Sequence, residues 1–160
     1  MLGDVKSTPW LSADEQKVWR TYLLANQLLW AALDRQLQRD AGMPHAYYMI
    51  LAMLSEAPNR ELTMSHLARL VGSSPSRLSH AVSRLEQAGW VRRRKHPTDG
   101  RTTVASLTDD GFAVLAEAAP GHVGEVRGIL FDPLTPEQVD QLGEIVAAIV
   151  APHDGRAPHV

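Results

Sequence analysis

The chain contains no cysteine in its 160 residues. That absence excludes disulfides, thiolate metal sites, cysteine nucleophiles and regulation by thiol oxidation. Long apolar runs are missing as well. No segment approaches the roughly 20 apolar residues needed to cross a bilayer, and Met1 to Trp10 lacks the apolar core of a secretion signal, so a cytoplasmic protein is expected. Neither sign of charge dominates, with a formal net charge of −2. The sequence also lacks a phosphate loop, a strand-turn-helix nucleophile elbow and a paired-histidine metal helix, so neither catalysis nor a cofactor is expected. With 44% hydrophobic residues the chain is long enough to bury one core and short for two independent domains.

The charge that is present is unevenly placed. Residues 60 to 101 hold nine Lys/Arg against three Asp/Glu, a net +6 within a chain total of −2, so the remainder carries −8. A basic segment on an acidic body fits a polyanionic partner. Inside that segment, Thr63 to Pro75 reads as a helix, a glycine stop at Gly72, a serine cap and a proline suited to the first turn of a second helix. Ala68 permits close approach of the two helices, and Leu67, Val71, Leu78, Ala81, Val82 and Leu85 fall on the faces that pack together, which makes a helix-turn-helix. The second helix, about Pro75 to Ala88, turns Ser76, Arg77, His80, Ser83 and Arg84 away from its apolar stripe. With Ser73 and Ser74 of the turn, these are the candidate base-reading residues.

A cationic ribbon follows. Trp90 to Lys95 and the β-branched Thr102 to Val104 flank Asp99-Gly100, read as a hairpin turn in which Gly100 takes positive φ. The expectation is a two-stranded ribbon whose candidate DNA contacts are Arg93, Arg94, Lys95 and Arg101. Asp99 is assigned to holding turn amides or pairing with an arginine such as Arg93. Thr108 then caps a helix whose first turn carries Asp109 and Asp110.

The ordered set of helix-turn-helix, Leu85-Glu86-Gln87-Ala88-Gly89-Trp90-Val91-Arg92-Arg93, Asp99-x-Arg101 and Leu107-Thr108-x-x-Gly111 resembles the MarR family of winged-helix transcription regulators over most of the chain. The resemblance implies a mainly α fold with a small β-hairpin wing. It also implies a homodimer on double-stranded DNA with a pseudo-palindromic operator, most simply as a repressor. The helix from Pro75 would enter the major groove and Arg101, at the wing tip, the adjacent minor groove. Gly100 departs from the larger, often polar residue that many members carry there.

The flanks read as a dimer frame within one domain spanning 1–160. Ser12-Ala13-Asp14-Glu15 is a capping box opening a helix to about Asp40, with Val18, Tyr22, Ala25, Leu29, Leu33 and Leu37 as its stripe. A short helix from Pro44 to Pro58 serves as core scaffold. The helix from Thr108 meets Pro120-Gly121, where a kink or break is expected, and resumes from His122 to about Phe131. Thr135-Pro136-Glu137-Gln138 is a second capping box before the last helix. Residues 12–40 and 108–151 thus frame a winged module at 44–107, and Pro152, Gly155 and Pro158 mark a tail carrying His153 and His159.

In the family, aromatic or phenolic effectors commonly sit between frame and DNA module. Trp19, Tyr22, Trp30, His45, Tyr48 and Met49 are the candidate lining, although aromatic and Met residues at helical spacing also serve simply as core. Two alternatives stay open: a DNA-binding protein without an effector, and a zinc-responsive regulator with His45 and His122 as ligands, joined by Asp40 or Glu125.

Overall fold

The computed structural model describes residues 9–153, so the tail positions Gly155, Pro158 and His159 lie outside the described residues. Ser12 opens α1 (Ala13–Ala41) through a reciprocal capping box: its Oγ accepts the Glu15 N–H at 3.2 Å and Glu15 Oε2 accepts the Ser12 N–H at 2.7 Å. The helix stops at Gly42. Pro44 then precedes α2 (His45–Glu56), which buries Tyr48, Ile50, Leu51 and Leu54 at the centre of the molecule. Around it pack α3 (Met64–Leu70), α4 (Pro75–Gln87), the sheet and α5 (Asp109–Val126), giving one core that includes Leu37, Leu67, Leu78, Leu85, Val91 and Leu115. A π-helical turn, Arg127–Phe131, and α6 (Pro136–Val150) complete the chain. Among the described residues no helix is long and apolar enough to cross a membrane.

The sheet has three strands, not the two expected. β1 (Glu61–Thr63), β3 (Thr103–Leu107) and β2 (Val91–Lys95) lie in the order β1-β3-β2, all antiparallel, with Leu62 opposite Ala105 and Arg93 opposite Ala105 on the other side. Three residues are too few for a period-two pattern to register in a sequence, and Thr63 doubles as the cap of α3, accepting the His66 N–H at 3.2 Å. The wing turn also differs from its reading. Gly100 lies outside the left-handed region, and the tight turn is centred on Gly100-Arg101, closed by the Thr102 N–H on the Asp99 carbonyl at 3.0 Å. Asp99 takes the first position of the turn, where its side chain can receive following donors.

A third correction concerns Pro120. α5 continues through it rather than breaking, although an interior proline removes one backbone bond and costs about 3 kcal/mol in an isolated helix. The next turn is laid closely on α1: a Cβ on Gly121 would stand 2.8 Å from Gln36 Nε2. Packing against α1 thus offsets the lost bond and keeps the segment helical.

The base of α5 is equally tight. Thr108 accepts the Gly111 N–H at 3.0 Å and donates its hydroxyl to the Gly89 carbonyl at 2.7 Å, while its own N–H reaches the Trp90 carbonyl at 3.0 Å. Gly111 is buried against that carbonyl; a Cβ there would overlap Trp90 O and approach Leu107 Cδ1 at 2.8 Å.

Histidines join the helices on the far side of α2. The His45 ring lies 5.1 Å from Trp30 of α1 and 5.5 Å from His122 of α5, and His122 stands 4.2 Å from Tyr48, all between ring centroids. Burial pushes both histidines below their usual range; His122 adds to the effect on His45, and Asp34 opposes it. Asp34 Oδ1 also accepts the His45 N–H at 2.9 Å.

Two predictions follow from this packing. Gly111→Ala should lower stability by about 1–3 kcal/mol, as overpacking does. Gly100→Ala, with open space around it and no positive φ, should be neutral or stabilise by roughly 0.4–1 kcal/mol; urea unfolding of the two variants reads the contrast. The second is a pH dependence. Histidines whose folded pKa is depressed contribute stability that is full above the unfolded value of about 6.5 and is lost as pH falls below it. The urea midpoint should therefore drop between pH 7.5 and 5.5, before carboxylates titrate, and His122→Phe should flatten that slope; an unchanged slope would contradict the assignment.

Candidate nucleic-acid interface and adjoining cavity

α4 is built to be buried on one side and bare on the other. Ser74 Oγ accepts the Arg77 N–H at 3.4 Å and Pro75 occupies the first turn, where its missing N–H costs nothing. Leu78, Val82 and Leu85 point into the core. Ser76, Arg77, His80 and Arg84 are exposed, and Ser83 is half-buried beside them. The angle between α3 and α4 is set at Gly72, whose φ of 61° is open to glycine, and by the Ser73 N–H on the Ala68 carbonyl at 2.9 Å. The sequence-predicted set from Ser73 to Arg84 thus lies on the turn and the free side of one helix.

The pleat of β2 divides the basic run Arg92 to Lys95, because alternate side chains leave a strand on opposite faces. Arg93 turns to α4. Its N–H and Nε donate to the two oxygens of Glu86 at 2.9 and 2.7 Å, Nη2 closes an ion pair with the same carboxylate, and Nη1 reaches Ser79 Oγ at 3.5 Å. These bonds, Arg93's side chain foremost, hold the Glu86 carboxyl below the usual carboxylate range. Arg94 turns to the other face and pairs with Glu61 Oε2 at 2.6 Å. Arg92 and Lys95 are exposed. In the wing, Asp99 Oδ1 accepts the Arg101 N–H at 3.0 Å and Oδ2 accepts the Thr102 hydroxyl at 2.6 Å, bonds that lower its pKa, the Thr102 contact most. Asp99 holds the turn and makes no ion pair with Arg93. Arg101 is left exposed at the tip.

Helix and wing face each other across a groove of about 460 Å³ lined by Met64, Ser65, Pro75, Ser79, Arg93, Arg101, Thr102 and Thr103. Ser65, Ser79 and Thr103 are members that the sequence reading missed. Ser79 could have been found, since it follows Ser76 by three residues on the same side of α4. Ser65 and Thr103 reach the groove only through the sheet, for which no local signal exists. Hydroxyls, the α4 N-terminus and the exposed Arg101 guanidinium together are donors suited to phosphate oxygens and base edges.

A second, larger cavity of about 670 Å³ lies between α1, α2 and the helix-turn-helix. Its walls come from Trp30 of α1, His45, Ala46, Met49 and Ile50 of α2, and Arg69 to Ser73, Arg77, Leu78 and Ala81 of the helix-turn-helix. Of the six candidate lining residues it gathers Trp30, His45 and Met49. Tyr48 is buried in the core against His122. Trp19 and Tyr22 stack on each other at 6.2 Å, half exposed, farther along α1; Tyr22 is eight residues from Trp30, about 12 Å at the helical rise. Among the described residues no group of three or more His, Asp or Glu is placed to hold a metal, and Asp40 is engaged by Gln36 and Arg39.

Comparison with known proteins agrees with this geometry. The sequence profile of the MarR family matches residues 41–102. The crystal structure of Sco3205, a MarR family transcriptional regulator from Streptomyces coelicolor in complex with DNA, is 54% identical, with 91% of each chain covered and a TM-score of 0.86. AbsC, a MarR family transcriptional regulator from the same organism, is 38% identical over 92% of this chain and 99% of its own, with a TM-score of 0.85. The HTH-type transcriptional regulator PecS of Dickeya dadantii is 26% identical over 88% of this chain and 84% of its own length. With a winged helix-turn-helix in place and likeness running through the flanking helices as well, the chain belongs to the MarR family of transcriptional regulators.

Proposed function

We propose that this protein is a homodimeric, sequence-specific DNA-binding repressor, released from a pseudo-palindromic operator by a small aromatic or phenolic effector. The observation that carries the reading is the free side of α4, with Arg77, His80 and Arg84, set beside a wing tip that exposes Arg101. Its support is the DNA-bound state of the 54%-identical Streptomyces regulator. Arg77 and His80 are assigned to base edges in the major groove, with Ser73, Ser74, Ser76, Ser83 and Arg84 around them; Lys95 holds phosphate, and Arg101 enters the minor groove. Arg93 and Arg94, which pair with Glu86 and Glu61, reach phosphate only as partners of those carboxylates and contribute less.

Dimerisation rests on apolar surface that one copy leaves bare. The first half of α1 exposes Val18, Trp19, Leu23, Leu24 and Leu28, and α6 buries no residue while exposing Ile145, Val146, Ile149 and Val150. Isolated stripes of this extent at both ends of a small chain are covered economically by a second copy across a two-fold axis. Segments 12–40 and 108–151 form the frame and 44–107 the DNA module. The cavity walled by Trp30 of the frame and by α2, α3 and α4 of the module, apolar with a few polar groups and of ordinary ligand size, is the effector site.

Fluorescence anisotropy with duplexes from upstream of its own gene tests this reading. Tight binding to one duplex over its shuffled counterpart is expected. Arg101→Ala should weaken binding while leaving fold and dimer intact, with a larger penalty on A·T-rich flanks, where the minor groove narrows and its negative potential deepens, than on G·C-rich ones. Equal binding by wild type and variant on both flanks would refute the minor-groove contact, and equal binding to operator and shuffled duplex would refute sequence-specific recognition.

A further inference from the structure

Arg77 occupies two places at once. It is exposed on the free side of α4, three residues before His80 and seven before Arg84, and it also lines the cavity with Leu78 and Ala81, the latter four residues on. Residues three and four apart sit on adjacent rows of a helix, so position 77 marks the border between the DNA-facing row and the cavity-facing row. Arg69 of α3 lines the same cavity. Among the described residues neither arginine has an acidic partner. Every other wall residue is apolar or uncharged apart from His45, whose pKa is lowered by burial and by His122, with Asp34 opposing. The wall of the cavity therefore carries two arginines without acidic partners and no acid.

We propose that Arg77 is one guanidinium shared by two sites, so that an anion in the cavity and a base edge in the operator compete for it directly. This rests on the reading of the chain as an effector-released DNA-binding regulator, and it names the residue through which release is exerted. The chemistry makes the competition strict. A guanidinium presents a planar fork of N–H donors, and the bidentate grip on a carboxylate uses the same fork geometry as the bidentate grip on guanine O6 and N7. A ligand carboxylate held by Arg69 and Arg77 turns the Arg77 fork inward and removes it from the groove. By linkage, bound DNA must weaken the anion by the same factor as the anion weakens DNA. No rotation of the frame is required for this part of the response.

The test uses a matched pair of probes, 1-naphthylacetate and its neutral amide, with the full-length protein and the duplex that it binds. Wild type should bind the acid about tenfold or more tighter than the amide, the scale of a charge-assisted bond. Arg77→Ala should weaken the acid about tenfold and the amide far less, Arg69 keeping a residual preference for the acid, while it weakens the duplex about tenfold and removes most of the acid's effect on the residual duplex binding. An unchanged melting temperature shows that the fold is not at issue. If Arg77→Ala loses duplex affinity but binds the acid as wild type does, or loses the acid but keeps the duplex, the shared guanidinium is refuted while the regulator reading stands. If wild type binds the duplex but shows no preference for the acid over the amide, the cavity is not an anion site and the proposal falls. Failure of wild type to bind any duplex would instead remove the regulator reading itself.

Discussion

The Trp90 carbonyl accepts the Thr108 N–H while the Thr108 hydroxyl bonds the Gly89 carbonyl, and Gly111 lies flat on the same backbone. These few atoms join three parts: the end of α4, the start of the wing, and the first turn of α5. Because a side chain at 111 has no room, α5 sits at one distance from the start of the wing. The position of the wing relative to α4, and of both relative to α5, is inherited from this junction. Arg60 adds a strut at its edge, 3.2 Å from Asp109 and stacked over Phe112 at 4.0 Å.

A second tie fixes the wing sideways. Arg93 and Glu86 are both about three-quarters covered, and their contact binds β2 to the last turn of α4, with Nε and Nη2 on one carboxylate oxygen and the Arg93 backbone N–H on the other. A basic run in the sequence thus serves two purposes. Arg93 and Arg94 hold the wing to α4 and β1, whereas Arg92, Lys95 and Arg101 remain exposed. Asp99, the acid in the middle of the wing loop, shapes the turn that presents Arg101 rather than cancelling its charge.

Local chemistry was legible wherever one or two turns of chain decide it. Both capping boxes, the Gly72 turn, the Ser74-Pro75 start and the Thr108 cap could be read directly, since each depends on neighbours within four residues. Tertiary contacts decided the rest. β1 is three residues long and exists because β3 has a free edge beside it; Pro120 stays within a helix because Gly121 packs on Gln36; the wing turn is held by Asp99 and leaves Gly100 an ordinary φ. The cavity was half legible. Aromatic type grouped Trp19 and Tyr22 with Trp30, but helical rise separates them, and the charged wall from Arg69 and Arg77 comes from a different element altogether.

In the proposed complex two copies present two α4 helices to one operator, an arrangement that hydroxyl-radical footprinting combined with the stoichiometry of the complex tests. Recognition helices related by a two-fold axis and resting in successive major grooves require half-sites centred about 10 base pairs apart. Two protected half-sites at that spacing, arranged as an inverted repeat, with two chains bound per duplex, are the expected result. Protection of a single asymmetric half-site by one chain would contradict it.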